Sequence, residues 1–166
     1  MFRKMRRSRQ ELTREQCEEI LERCTCGTLA LSGDGGYPYA VPLSFVYHDG
    51  KLWFHGAKTG HKIDAMRKNE KASFCVIDRD EIVPQEYTTY FRSVIVFGKM
   101  RILEDDGEKR TACSLLAGKY RPGFEEERNA AIEKEFPALC MFCLEAEHMT
   151  GKEAIELVRR REDGTK

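Results

Sequence analysis

The sequence predicts a mostly β protein, a small β-barrel with helices at its periphery. Two observations carry this reading. Short extended segments follow one another through the middle of the chain, separated by reversal signals such as Gly33-Asp-Gly-Gly36 and His48-Asp-Gly50. The helical stretches are few, and each is amphipathic or strongly charged, which suits elements laid around a barrel.

The elements follow in order. Thr13-Arg-Glu-Gln16 is a capping-box pattern, with Leu12 and Cys17 placed as a hydrophobic staple. Cys17, Ile20, Leu21 and Cys24 then recur at helical spacing, so an amphipathic helix opens the domain. Thr28 to Ser32 is extended. Tyr37 to Tyr47 is a second extended run, interrupted by Pro42, and Asp49-Gly50 turns it into a third, Lys51 to His55. Pro42 has no N–H for an interior ladder, so it is expected at a sheet edge, a bulge or a gap that leaves backbone groups free for a ligand. His61 to Asn69 reads as a short helix and Lys71 to Ile77 as a strand. The polar stretch Asp78 to Glu86 separates that strand from Tyr87 to Leu103, which alternates as a strand covered on both faces. After Asp105-Asp-Gly107 a helix carries Cys113, Leu116 and Ala117 on one side until Pro122-Gly123. Phe124 to Phe136 is a charged, exposed helix, Ala138 to Glu145 a last apolar strand, and Lys152 to Arg160 a terminal helix.

The 166 residues balance 28 Lys+Arg against 28 Asp+Glu, and 41% are hydrophobic. These figures describe a single globular domain over 1–166, with a basic, solvated arm at about residues 1–10. A chain of this size buries roughly 70% of its unfolded surface, so its core needs no disulfide or structural metal. Zero net charge gives no reason to expect nucleic acid as a partner. No apolar run approaches the roughly 18–20 residues that cross a bilayer, and no secretory signal is read, so the expected location is the cytoplasm. The seven cysteines are then most simply reduced thiols. Cys140-Met-Phe-Cys143 has C-x-x-C spacing, and with Cys24-Thr-Cys26 it would make a zinc site only if the fold converged the two pairs.

The segment richest in chemistry is Phe54-His-Gly-Ala-Lys-Thr-Gly-His-Lys62. It leaves a strand, passes two glycines and enters a helix with Thr59, His61 and Lys62 around its first turn. Free N–H groups and the positive end of the macrodipole favour a phosphate there, and Lys58 and Lys62 add cations. The segment lacks the full P-loop pattern, and Thr59 could instead cap the helix while the lysines are solvated. His55 could equally be a hydrogen-bonded core residue.

The order of these pieces is more specific than any one of them. Tyr37-Pro-Tyr-Ala-Val-Pro-Leu-Ser-Phe-Val-Tyr47, the Asp-Gly hairpin, Leu52-Trp-Phe-His-Gly56, Gly60-His-Lys-Ile63 and Tyr90-Phe-Arg-Ser-Val-Ile-Val-Phe-Gly-Lys99 together resemble the flavin-binding split-barrel family that includes pyridoxamine 5'-phosphate oxidases. The resemblance spans about residues 10 to 158 and leans toward the branch named for nitroimidazole-resistance proteins. It implies a homodimer with two FMN sites across its interface. It further implies that Val41, Pro42, Leu43 and Ser44 line the flavin ring, that Thr59, His61 and Lys62 hold its phosphate, and that Phe91, Arg92 and Ser93 approach from the neighbouring chain. His55 matches the position given a redox or substrate role in the resistance branch, so the resemblance makes it the catalytic candidate.

Departures from the family matter as well. Ala40-Val-Pro-Leu-Ser44 lacks the cations that pyridoxamine 5'-phosphate oxidases carry in the second strand, and Glu147-His-Met-Thr-Gly-Lys152 lacks their terminal Trp and Arg. Vitamin B6 oxidation is therefore not the expectation. The expected activity is FMN-dependent reduction of a small, electron-poor, nitroaromatic molecule. No G-x-G-x-x-G opens a helix after a strand, so electrons would come from NADH or NADPH in transient visits, or from a separate protein. Two alternatives stay open. One is a non-enzymatic flavin- or haem-binding module, redox sensor or cofactor store, with His55, His61 or His148 as an iron ligand; the other is a zinc or thiol-redox protein using Cys140 and Cys143.

Overall fold

The computed structural model describes residues 1–164; residues 165 and 166 of the expected domain lie outside the described residues. The chain runs β1 (Glu11–Leu12), α1 (Arg14–Arg23), β2 (Cys26–Ser32), β3 (Pro38–Ser44), β4 (Val46–His48), β5 (Lys51–Ala57), α2 (His61–Lys68), β6 (Lys71–Val83), β7 (Thr88–Ile102), α3 (Asp106–Tyr120), α4 (Glu125–Glu135), β8 (Leu139–Glu153) and α5 (Ile155–Glu162). All strand pairs are antiparallel, in the order β3-β2-β6-β7-β8-β5-β4, with β1 added beside β8. The two strands at the ends of that order, β3 and β4, are joined through one residue, Phe45. The sheet therefore curls round on itself and leaves an unpaired seam, which makes it a split barrel with peripheral helices.

Tyr120, at the end of α3, closes the seam. Its hydroxyl oxygen accepts the Phe45 N–H at 3.0 Å and lies 2.7 Å from the Thr25 carbonyl and 2.9 Å from that of Phe45. Lys119 beside it donates to the carbonyls of Leu21 (3.3 Å) and Cys24 (2.5 Å), two of the acceptors that the end of α1 leaves open. At the other end of α1 the capping box is formed as expected, with Thr13 Oγ1 accepting from the Gln16 N–H and Gln16 Oε1 accepting from the Thr13 N–H. The Asp49-Gly50 hairpin also forms, both residues taking positive φ (50° and 70°) in a two-residue loop that matches the strand twist.

Four expectations are corrected. The interruption placed at Pro42 falls at Phe45, while Pro42 itself lies inside β3 opposite Thr28, at a sheet edge, which is one of the places expected for it. Asp78 to Val83 continues β6 past an irregularity between Ile77 and Arg79, because β7 supplies the ladder that its polar side chains do not advertise. β8 runs on from Glu145 to Glu153, again paired with β7. The basic arm is anchored rather than wholly solvated: Phe2 stacks on His148 at 4.5 Å, and the buried Gln10 donates from Nε2 to the Glu153 carbonyl at 3.0 Å.

Strand alternation sorts the core into two layers. Leu52 and Phe54 of β5 point into the barrel, where Phe45, Phe54 and Phe74 meet edge-on with ring centroids 5.0–5.1 Å apart. Burying each such ring stabilises the fold by about 1.5–3 kcal/mol. Trp53 points outward and packs with Met141, Cys143, Cys113 and Leu116 beneath α3. β5 thus carries one row of side chains to the barrel interior and the other to the helical layer, and the second row includes His55.

Candidate functional site

His55 lies opposite Met141 of β8, one step beyond Trp53 on the outward row, and is exposed. It borders a cavity of about 400 Å³ between the outer face of β5 and β8 and the α3–α4 pair, whose wall is largely apolar through Leu116, Ile132 and Met141. The reading of His55 as a core histidine therefore gives way to one at a cavity edge.

The next residues of β5 lead to α2. Gly56 lies against the end of the Lys62 side chain: a Cβ there would lie 2.9 Å from Lys62 Cε, 3.3 Å from Lys62 Nζ and 3.3 Å from the Phe142 ring. Lys62 thus folds back from the first turn of α2 against Gly56, on the barrel-side row of β5, whereas His55 is on the outward row. The N-cap of α2 is Gly60, at φ 121°, and no side chain caps the helix, so Thr59 does not fill the capping role. The Ile63 and Asp64 N–H groups both reach the Gly60 carbonyl, at 2.9 and 3.1 Å. The N–H groups before them are those that a helix start leaves without an intrahelical acceptor. Lys58, Thr59, Gly60 and His61 around this start are all exposed.

His61 turns to the other side. Its ring stacks on Tyr39 of β3 at 4.1 Å, and Nε2 lies 3.6 Å from Asp34, whose carboxylate also binds Lys68 at 2.7 Å. The beginning of α2 is therefore wedged between the end of β5 and the β2–β3 turn. Along β3 itself, Val41 and Leu43 pack against the barrel core while Pro42 and Ser44 are exposed on the free edge.

Phe91, Arg92 and Ser93 of β7 belong to a different cluster. Lys152 lies over the Phe91 ring at 5.2 Å, and Ser93 is paired with Lys152 across the ladder. Arg92 donates to Glu153 Oε2 from Nε (3.1 Å) and Nη2 (3.0 Å) and reaches Asp78 at 3.4 Å. Glu153 is only 1% exposed, and Arg161 Nη1 stands 2.7 Å from its other oxygen, off the hydrogen-bond direction. Arg23 completes the group at 2.7 Å from Asp78. Burial pushes the Asp78 carboxyl up, but Arg23 and then Arg92 outweigh it and hold the group below its usual range. A carboxylate as buried as Glu153 needs such partners.

The thiols do not converge. Three residues apart on a strand, Cys140 and Cys143 point to opposite faces, Cys140 into the barrel layer and Cys143 beneath α3. Among the described residues no three His, Cys, Asp or Glu side chains gather as metal ligands. Among the described residues no helix is long and apolar enough to cross a membrane. The residues that sequence reasoning missed are Tyr120 and Arg128, which line the cavity from α3 and α4. Arg128 lies in a charged helix whose sequence gives it no mark apart from its neighbours.

Comparison with known proteins agrees with the fold. The family model described as pyridoxamine 5'-phosphate oxidase matches residues 13–153. An uncharacterized protein of Rhizobium meliloti (strain 1021) is 29% identical over 154 residues, covering 86% of this chain and 93% of the relative. Among solved structures, a FAD and heme binding protein from Mycobacterium smegmatis is 25% identical with a TM-score of 0.73, over 88% of this chain and 73% of that one. A FAD-binding protein from Mesorhizobium loti is 25% identical with a TM-score of 0.64, over 87% and 96%. A candidate 5-nitroimidazole antibiotic resistance protein from Bacteroides thetaiotaomicron shares the fold, with a TM-score of 0.72 at 23% identity over 86% of each chain.

Proposed function

The chain belongs to the pyridoxamine 5'-phosphate oxidase family, and from that premise we propose that it is an FMN-dependent oxidoreductase, active as a homodimer on a small electron-poor molecule such as a nitroaromatic. The observation that carries this reading is the start of α2, a helix without a side-chain cap and with Lys62 folded back beside it. Unpaired N–H groups, a positive dipole end and an ammonium group form the chemistry that a phosphate monoester requires. Flavin binding by the Mycobacterium smegmatis and Mesorhizobium loti proteins supports the same cofactor class.

In this reading Thr59, Lys62 and the backbone N–H of His61 hold the phosphate, while the His61 ring stays stacked on Tyr39 beside Asp34. Val41, Pro42, Leu43 and Ser44 present the free edge of β3 to the ring, their backbone groups available because no strand pairs on that side. Phe91, Arg92 and Ser93 act on the site of the second subunit, with Arg92 positioned by Glu153 and Asp78. Bound flavin supplies electron and hydride transfer between a donor, either NADH, NADPH or a separate protein, and the acceptor. His55 then orients the acceptor at the cavity edge and can exchange a proton with it through a ring nitrogen. The test is to reduce the flavin-loaded protein anaerobically with dithionite and add a nitroimidazole. Reoxidation faster than for free reduced FMN, slowed in His55→Ala, is the expected result; a rate no faster than free FMN overturns the activity.

A second reading, a flavin- or haem-binding module without turnover, is favoured by the likeness to the FAD and heme binding protein. His61 is stacked on Tyr39 and His148 on Phe2, so His55 is the iron ligand that this reading would use. A Soret band in haem-titrated protein that disappears in His55→Ala supports it.

A further inference from the structure

The last two residues of α3 grip a single residue of the sheet. In the β2–β3 ladder Cys26 lies opposite Ser44, and the same register would next pair Thr25 with Phe45. That pair does not form. The Tyr120 hydroxyl stands between the two residues instead, accepting the Phe45 N–H at 3.0 Å and offering its one hydrogen to the Thr25 carbonyl at 2.7 Å or the Phe45 carbonyl at 2.9 Å. Lys119 holds the other side of Phe45, with Nζ 4.5 Å from the ring centroid.

Phe45 is where β3 passes into β4, and its ring is fully buried against Phe74. β3 is an edge strand whose ladder partner is β2 alone, so beyond Ser44 no ladder pair fixes its end. The hydroxyl supplies what the missing pair would. A backbone N–H or carbonyl left without a partner inside the fold is costly, and Tyr120 meets both kinds with one oxygen. Leu43 and Ser44 come immediately before this clamp, whereas Lys62 sits on α2, beyond β5. The two ends of the proposed flavin site are thus set by separate contacts.

We propose that Tyr120 is a positioning residue for the flavin ring: its hydroxyl, by clamping the Phe45 end of β3, sets where Leu43 and Ser44 present their backbone to the ring. It acts through the strand rather than on the phosphate. Loss of the hydroxyl therefore alters the surroundings of the ring, where electrons are gained and lost, and leaves the α2 anchor in place. The role at the ring rests on the oxidoreductase reading, whereas the clamp on Phe45 does not.

The test compares the full chain with Tyr120→Phe, which removes one oxygen and keeps the ring, and with two controls. Tyr47→Phe deletes a hydroxyl that donates to Glu18 at 3.0 Å, away from β3; Lys62→Ala acts at the phosphate end. Three quantities are read: hydrogen exchange of the Phe45 amide, the FMN dissociation constant, and the midpoint potential of bound FMN. In Tyr120→Phe the Phe45 amide is expected to exchange about tenfold faster and FMN to bind about tenfold more weakly, each the worth of one hydrogen bond. The potential is expected to shift as well, because the oxidised and reduced rings lose unequal support. Lys62→Ala weakens binding of both redox forms equally and leaves the potential unmoved, and Tyr47→Phe changes none of the three. A potential in Tyr120→Phe equal to that of wild type, unchanged exchange at Phe45, or an equal shift in Tyr47→Phe overturns the proposal while FMN binding to wild type keeps the flavin reading. Wild type that takes up no FMN overturns both, so the two failures are told apart.

Discussion

Lys62 and Gly56 are fitted to each other: the lysine side chain occupies the space that any larger residue at 56 would need, with its Cε 2.9 Å from where a Cβ would stand. The strand that ends at Ala57 and the helix that begins at His61 thereby meet through this contact at the proposed phosphate end of the site.

The first prediction follows from that contact. In Gly56→Ala the flexible end of Lys62 is what must move, together with a small shift of Phe142 at 3.3 Å. Stability is expected to change by less than about 1.5 kcal/mol. FMN affinity, read by quenching of flavin fluorescence, is expected to fall several-fold because the ammonium is displaced. Unchanged affinity would separate Lys62 from the cofactor.

Acid stability reports on the Arg23–Asp78–Arg92 group. Asp78 is held below its usual range in the folded chain, against about 3.9 when unfolded. Its contribution is complete above the unfolded value and is lost as pH falls through the folded one, so it protects the protein down to about pH 4. Asp78→Asn should lower stability at pH 7 by about 1–2 kcal/mol and flatten the loss below pH 4 in urea titrations. An equal acid slope in the variant would contradict the assignment.

Thiol labelling distinguishes the cysteines. Burial pushes Cys17 and Cys143 up to about 11, and burial likewise raises Cys113 and Cys140, while Cys26 is exposed. Iodoacetamide at pH 8 should modify Cys26 first, with Cys143 reacting only on unfolding. Rapid joint modification of Cys140 and Cys143 would revive a thiol-redox role.

The proposed homodimer gives a fourth prediction. Ile77, Ile82 (74% exposed) and Tyr87 (98% exposed) are large apolar side chains left facing water along the outlying part of β6 and the turn to β7, and the proposed interface would cover them. Ile82→Lys should raise the dimer dissociation constant at least tenfold in light scattering over a dilution series. A mass independent of this substitution would move the interface elsewhere.

Much of this was legible in the sequence, for physical reasons. The capping box at Thr13, the Asp49-Gly50 reversal and the helical stripes depend on neighbours in the chain, and all form. The extension of β6 through Asp78 and of β8 beyond Glu145 was hidden because those residues are held by pairing with β7, which no local pattern records. The break at Phe45 was misplaced to Pro42 because a proline is disruptive only where its missing N–H would face a partner, and β3 is an edge. The segment from His55 to Lys62 stood out because strand end, glycines and helix start are contiguous. The cavity did not, since His55, Leu116, Arg128 and Met141 come from four elements and meet only in the fold.

The most direct test is titration of FMN into purified wild-type protein and Lys62→Ala. The expected result is one FMN bound per chain, with affinity reduced at least tenfold in the variant by loss of a charge-assisted phosphate contact. Absence of FMN binding to wild type, or equal affinity in the two proteins, would contradict the account.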